Sequence, residues 1–183
     1  MAIPINHEMR QTAFQLEQQV LKSVAESNRA DYLPETNPRR YYVGFLGEQV
    51  FLQFLSENNV RSYYAPQTNG KPDKFDFLVM TSAGDRVAVD VKTASKSYYS
   101  KLMIHRKQYE KTGFTGVYVA VRLNGESYGE VLGWTSGTNL LTDPSDYQQL
   151  YLPYSYLFSM ESLVSKLHFG SQVVKYPEMA FTS

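Results

Sequence analysis

The segment VAVDVKTASK, residues 87–96, sets two charges inside a run of valines. Side chains of a strand alternate between its faces, so Val87, Val89 and Val91 share one side while Asp90 and Lys92 share the other. Three valines on one side imply a buried face; the opposite face then carries a carboxylate and an ammonium as neighbours. Just upstream, FDFLVM (75–80) alternates in the same manner, with Phe75, Phe77 and Val79 interleaved with Asp76. The link TSAGD is short and contains glycine, so the two segments read as a hairpin whose pairing brings Asp76 toward Asp90. Two adjacent carboxylates repel unless a cation lies between them, and hard cations such as Mg²⁺ favour oxygen ligands.

Before the hairpin, the period is helical. In YVGFLGEQVFLQFLSENN (42–59) apolar residues fall nearly all round, the pattern of a helix buried in a core. Glu48 lies on it with Phe45, Phe51 and Leu52 three or four positions away, so its carboxylate needs a compensating charge, either a metal shared with Asp76 and Asp90 or the Lys92 ammonium. An amphipathic helix over 6–26 places Ala13, Leu16, Val20 and Val24 in one stripe, widened by Phe14 and Leu21, and a loop with two prolines separates it from the second helix. Val60 to Tyr64 forms a first strand. After the hairpin come a basic helix from Met103 to Lys111, stopped at Gly113, a strand GVYVAVRL (116–123), a shorter strand around EVLGWTS, and a final helix in which Tyr156, Met160, Leu163 and Leu167 recur at helical spacing. Helix, strand, hairpin, helix, strand is the order of a mixed α/β domain.

A chain of 183 residues, 43% hydrophobic and 20% charged, has the composition of one globular domain. It has no cysteine, which excludes disulfides and thiolate metal sites and suits a reducing compartment. No apolar run approaches the roughly 20 residues of a membrane span, and the first residues show no signal pattern, so the expected location is cytoplasmic, without a membrane partner. Net charge is zero but unevenly spread: from Arg86 to Lys111 seven bases face two acids, and from Leu123 to Ser165 there are five acids and no base. A neutral chain arranged this way can still present a cationic surface, although ordinary solvated charge accounts for the counts equally well.

Taken in order, GFLGEQ, KPDKFDFLV and VAVDVKT resemble the motifs of the PD-(D/E)xK nuclease superfamily: a helical glutamate, an aspartate at a strand, then acid-x-lysine on the next strand. The resemblance covers about residues 43–122. It implies a restriction endonuclease-like αβββαβ core with a mixed central sheet, extended by an N-terminal helical segment (6–40) and by C-terminal strand and helix elements (123–183) within one domain. It also implies a Mg²⁺-dependent deoxyribonuclease, with Mn²⁺ as substitute, acting as an endonuclease. Asp76 and Asp90 would bind the ion with the Val91 carbonyl, Glu48 would ligate directly or through water, and Lys92 would orient the attacking water or stabilise the transition state. Pro72 and Asp73 supply the literal PD, whereas Asp76 lies in the alternating strand and in register with D-x-K; Asp76 is the expected ligand and Asp73 the alternative. Asp90 stands where many relatives carry glutamate.

The helix IHRKQYEK resembles the one that follows D-x-K in such nucleases, with Gln108 at the position of a residue that reaches the metal site. Expected DNA contacts are Arg39, Arg40, Lys74, Lys96, Lys101, Arg106 and Lys107, the first two beside Tyr41 and Tyr42 as stacking surfaces. His105 reads as a surface residue, and most of the fifteen tyrosines as core and rim. Restriction-type enzymes, junction resolvases and phage-encoded nucleases (the last in a host cytoplasm) all fit, and the paired cuts many of them make suggest a homodimer, with the acidic stretch turned away from DNA. The rival readings are a catalytically inactive nucleic-acid-binding or assembly module on the same fold, and an unrelated α/β domain with surface ion pairs.

Overall fold

The computed structural model describes residues 2–26, 39–66, 68, 75–112 and 116–169. Strand β1 (Ala2–Pro4) leads into helix α1 (His7–Glu26), followed by α2 (Arg40–Glu57), β2 (Ser62–Tyr64), β3 (Phe77–Met80), β4 (Arg86–Ala94) and β5 (Lys101–His105). Then come α3 (Arg106–Thr112), β6 (Val117–Asn124), β7 (Tyr128–Ser136), β8 (Leu141–Thr142), β9 (Gln149–Pro153) and α4 (Met160–Phe169). Six strands form one sheet in the order β1-β7-β6-β4-β3-β2, in which β4 and β6 run parallel and the other neighbours antiparallel. With β5, which belongs to a separate small sheet, set aside, α2, β2, β3, β4, α3 and β6 follow the αβββαβ order around a mixed sheet.

The hairpin has the register its alternation demands. Phe77 faces Val89 and Val79 faces Val87 across β3 and β4, so one face is wholly apolar. The turn is closed by Thr81, whose hydroxyl accepts the Asp85 N–H at 3.0 Å, and by Gly84, whose φ of +87° suits a residue without Cβ. Against the apolar face pack α2 and α4, and α1 packs on α2, with Val20, Val24, Leu46, Val50, Phe51, Leu55 and Leu163 buried in one core with the sheet's valines. Helix α1 starts where Asn6 Oδ1 accepts the Met9 N–H at 2.9 Å. Its stripe is narrower than expected, since Phe14 is half-exposed. The buried carboxylate of Glu17 accepts the Tyr42 N–H at 3.3 Å and so caps the first turn of α2.

Three elements depart from the sequence reading. Residues 103–105, expected as the start of the basic helix, belong to a strand over 101–105: Leu102 and Ile104 point inward while Lys101, Met103 and His105 point outward. A run of five is too short for its periodicity to separate strand from helix. The deciding factor is distant, because β5 pairs antiparallel with β9, with Leu102 opposite Leu152 and Ile104 opposite Leu150, in a small second sheet ordered β5-β9-β8. This sheet covers the other face of the main one through a second apolar cluster that includes Leu78, Ala88, Leu102, Ile104, Tyr118 and Leu150. The final helix begins only at Met160; Tyr154–Tyr156 is a separate 3₁₀ turn after Pro153, and Tyr156 is exposed. Among the described residues, no helix is long and apolar enough to cross a membrane.

Candidate functional site

The end of β4 outruns its hairpin partner. Strand β3 begins at Phe77, opposite Val89, whereas β4 continues to Ala94, paired only with β6. Beyond Val89 the β3 side of β4 therefore lacks a strand, and the Asp76 carboxylate takes its place: Oδ2 accepts the Val91 N–H at 2.7 Å. Because the N–H and C=O of a strand residue project toward the same neighbour, the Val91 carbonyl faces the same gap.

Asp90 and Lys92 lie on one side of β4, as their spacing requires. Lys92 Nζ stands 2.7 Å from Asp90 Oδ1, with the side chains 21% and 14% exposed. The ammonium also lies 5.9 Å from the centroid of the Tyr118 ring, within reach of its negative face.

Glu48 comes from the helix layer on the opposite face. Helix α2 sits flush on β4 because Gly47 has no side chain: a Cβ there would fall 1.9 Å from Thr93 Oγ1. This close seat carries the next residue, Glu48, to the strand's end, where it is 8% exposed. Its Oε2 accepts a hydrogen bond of 2.7 Å from the Tyr64 hydroxyl. The Tyr64 ring is itself fixed by stacking on Phe77, with centroids 4.9 Å apart. Two further polar atoms here, Gln49 Nε2 and Thr93 Oγ1, are buried without a hydrogen-bond partner among the described residues, whereas buried polar groups are ordinarily paired.

The charges act on one another. Burial, the Asp90 carboxylate and the Glu48 carboxylate push Asp76 well above the usual carboxylate range, against the pull of Lys92 and the Val91 N–H. Burial acts to lower the Lys92 pKa, but Asp90, Asp76 and Glu48 outweigh it and hold the ammonium above its ordinary value. Burial and Glu48 raise the Tyr64 hydroxyl, which stays a donor. Among the described residues, three acidic side chains thus act on the Lys92 ammonium.

The sequence-predicted residues divide accordingly. Glu48, Asp76, Asp90 and Lys92 are brought into mutual electrostatic contact. They do not make a ready ion cage: among the described residues, no group of three His, Asp or Glu side chains is arranged to hold a metal ion. Each carboxylate is turned to its own partner, Asp90 to Lys92, Asp76 to the Val91 N–H and Glu48 to Tyr64. Gln108 is half-buried on α3.

Of the expected DNA contacts, Lys96 and Lys107 are exposed. Arg106 is largely committed within the fold, donating to the Tyr147 carbonyl and the Thr142 hydroxyl at 2.7 Å each. Lys101 lies 3.6 Å from Asp143 and over the Tyr151 ring. The acidic stretch is therefore folded partly onto the basic one. Arg39 pairs with Glu126 at 3.3 Å and lies over the Tyr42 ring, and Arg40 lies over Tyr41. Asp73 and Lys74 are outside the described residues. The sequence reading missed Tyr64 and Gln49: it placed Tyr64 in a strand, but only the pairing Tyr64↔Phe77 reveals which carboxylate the hydroxyl meets.

No family model and no curated protein matches the sequence. Among solved structures, the chain is similar to Hjc, a Holliday junction resolvase from the archaeal hyperthermophile Archaeoglobus fulgidus, with 10% sequence identity and a TM-score of 0.45, over 66% of this chain and 97% of that one.

Proposed function

We propose that this protein is a divalent-metal-dependent nuclease that hydrolyses phosphodiester bonds of DNA at the end of β4. The observation that carries the reading is the meeting of Glu48, Asp76 and Asp90 at Lys92, with Asp90 2.7 Å from the ammonium and Asp76 held above its usual range by burial and by the other two carboxylates. A hard divalent cation suits such a donor set, and Mg²⁺, or Mn²⁺ in its place, would be held by Asp76, Asp90 and the Val91 carbonyl, with Glu48 direct or through water. When bound, the ion lowers the pKa of a water and offsets charge developing on the phosphate.

The chain's own part follows from its geometry. Lys92 supplies the ammonium of the cluster among the described residues, and its N–H donors would stabilise the charge that develops on the attacked phosphate. Tyr64 keeps Glu48 oriented. A water oxygen forms the new bond to phosphorus and the P–O3′ bond breaks, leaving a 5′-phosphate and a 3′-hydroxyl that takes up a proton. Gln108 on α3 and the exposed cations Lys96 and Lys107 are assigned to phosphate binding; Lys101, Arg106, Arg39 and Arg40 contribute only with the charge left over from their internal partners, and Lys74 is assigned with them from the sequence alone. Cutting both strands of a duplex calls for two copies, so a homodimer belongs to the same reading.

The absence of a ready three-ligand cage among the described residues favours one rival, a module that binds nucleic acid without cutting it. A panel of linear, circular, single-stranded and four-way-junction DNA with Mg²⁺, Mn²⁺ or EDTA separates the two. The proposal expects cleavage with either metal, none with EDTA and none from Lys92→Ala; intact DNA throughout identifies the binding module.

A further inference from the structure

Six residues, 95–100, join the D-x-K strand of the large sheet to the first strand of the small one, and they carry Tyr98 and Tyr99. Both rings stand in solvent, 73% and 47% exposed, and they touch each other, with centroids 4.9 Å apart and planes tilted by 55°. Neither belongs to the two apolar clusters, so the fold does not use them. Single exposed aromatics are common, but these two, in contact on a turn, form a surface that no described residue covers.

The turn is held at both ends. Its start is fixed by β4, the Tyr99 N–H donates to the Lys96 carbonyl at 3.2 Å, and the Ser100 carbonyl accepts the Tyr154 N–H at 2.9 Å. Such a scaffold presents the rings at little cost in conformational entropy. Lys92 lies two residues before the end of β4, about 7 Å of strand, and the turn that carries the pair leaves that same strand end. Lys92, Lys101 and Arg106 have internal partners, but Lys96, exposed, sits within the turn itself and Lys107 is exposed nearby in sequence. Ser95, Ser97 and Ser100 around the rings are small enough to let a chain approach.

We infer that Tyr98 and Tyr99 form a stacking platform for unpaired bases of a DNA strand, with Lys96 on the adjoining phosphate. Aromatic faces beside cations bind single strands irrespective of sequence, because every unpaired base offers a π-face; bases inside a continuous duplex are covered by their neighbours and offer none. The platform thus selects DNA with a splayed or single-stranded segment next to the scissile bond. This specificity rests on the nuclease reading, but the binding itself does not.

The test is therefore a binding measurement in EDTA, by fluorescence anisotropy of a labelled oligothymidylate and of a blunt continuous duplex, with wild type, Tyr98→Ala/Tyr99→Ala and Tyr98→Phe/Tyr99→Phe. Circular dichroism establishes that each variant is folded. The double alanine variant is expected to lose about tenfold or more of its single-strand affinity while its duplex affinity changes less than twofold, and the double phenylalanine variant to stay within twofold of wild type on both. Unchanged single-strand binding by the alanine variant, equal losses on strand and duplex, or no strand binding by wild type overturns the platform. Plasmid cleavage in Mg²⁺ runs alongside: cleavage without a role for the tyrosines leaves the hydrolase standing and removes the platform, whereas tyrosine-dependent strand binding without cleavage does the reverse.

Discussion

Replacing Lys92 with methionine keeps most of the apolar stem and removes only the charge. The ammonium lies 2.7 Å from Asp90 in a pair whose side chains are 21% and 14% exposed, and Asp76 and Glu48 also act on it. Breaking a fully buried pair costs about 3–5 kcal/mol because the partner charge is left behind; the residual exposure here reduces this to about 2–3 kcal/mol. In a chain of this length that lowers Tm by about 5–10 °C.

The loss depends on pH in a definite direction. Lys92 has a raised folded pKa, so its stabilisation is complete below its unfolded value and disappears only as pH climbs through the folded one. Asp76 also has a raised folded pKa, so its protonation adds stability in acid, and that stability is lost as pH rises through the folded value. The ammonium persists through neutral pH, and the Lys92→Met deficit is largest at the upper end of the range, where Asp76 is least protonated. It shrinks as pH falls and Asp76 takes a proton, and Mg²⁺ restores part of it at neutral pH. The assay is thermal unfolding followed by circular dichroism from pH 4 to pH 8, with EDTA or Mg²⁺. An unchanged Tm at pH 8, or a deficit that grows in acid, refutes the coupled cluster.

Asp76→Asn should raise the Tm of the metal-free protein at pH 8 and abolish the further rise on adding Mg²⁺, since the amide removes a repelled charge and keeps an acceptor for the Val91 N–H; scanning calorimetry reads both effects. Tyr64→Phe leaves Glu48 without its donor, which costs about 1.5–3 kcal/mol of stability in urea unfolding and weakens Mn²⁺ binding measured by electron paramagnetic resonance. Gly47→Ala forces a Cβ into Thr93 and lifts α2 from β4, with a loss of about 1–3 kcal/mol or more; Thr93→Gly in the same chain should recover part of it, which urea titration of the single and double variants measures. Arg106→Ala releases the 142–147 segment, and amide exchange there should accelerate while the secondary structure of the large sheet is retained.

The hairpin and the buried helix were legible because their patterns are local. VAVDVKT and FDFLV alternate strictly, and once both are strands, Asp90 and Lys92 must be neighbours. Glu48 was recognisable as an anomaly, a carboxylate among Phe45, Phe51 and Leu52. What escaped the sequence is set by contacts across long separations. Nothing in KLMIH distinguishes strand from helix until QLYLP, some 50 residues later, pairs with it, and the charge asymmetry hid the fact that β9 brings the acidic stretch onto the basic one. Tyr64 was one tyrosine of fifteen until register set it on Phe77 with its hydroxyl on Glu48. The partners that turn the three carboxylates apart could not be read either, because a hydrogen-bond direction has no signature in spacing.

The most direct test of the proposed site is the rate of supercoiled-plasmid nicking as Mg²⁺ is raised from zero, for wild type and Asp90→Asn purified side by side. The account predicts a saturable, EDTA-reversible rate in wild type that falls by a factor of about 10² or more in the variant. Equal rates in the two proteins, or nicking that persists in EDTA, would contradict it.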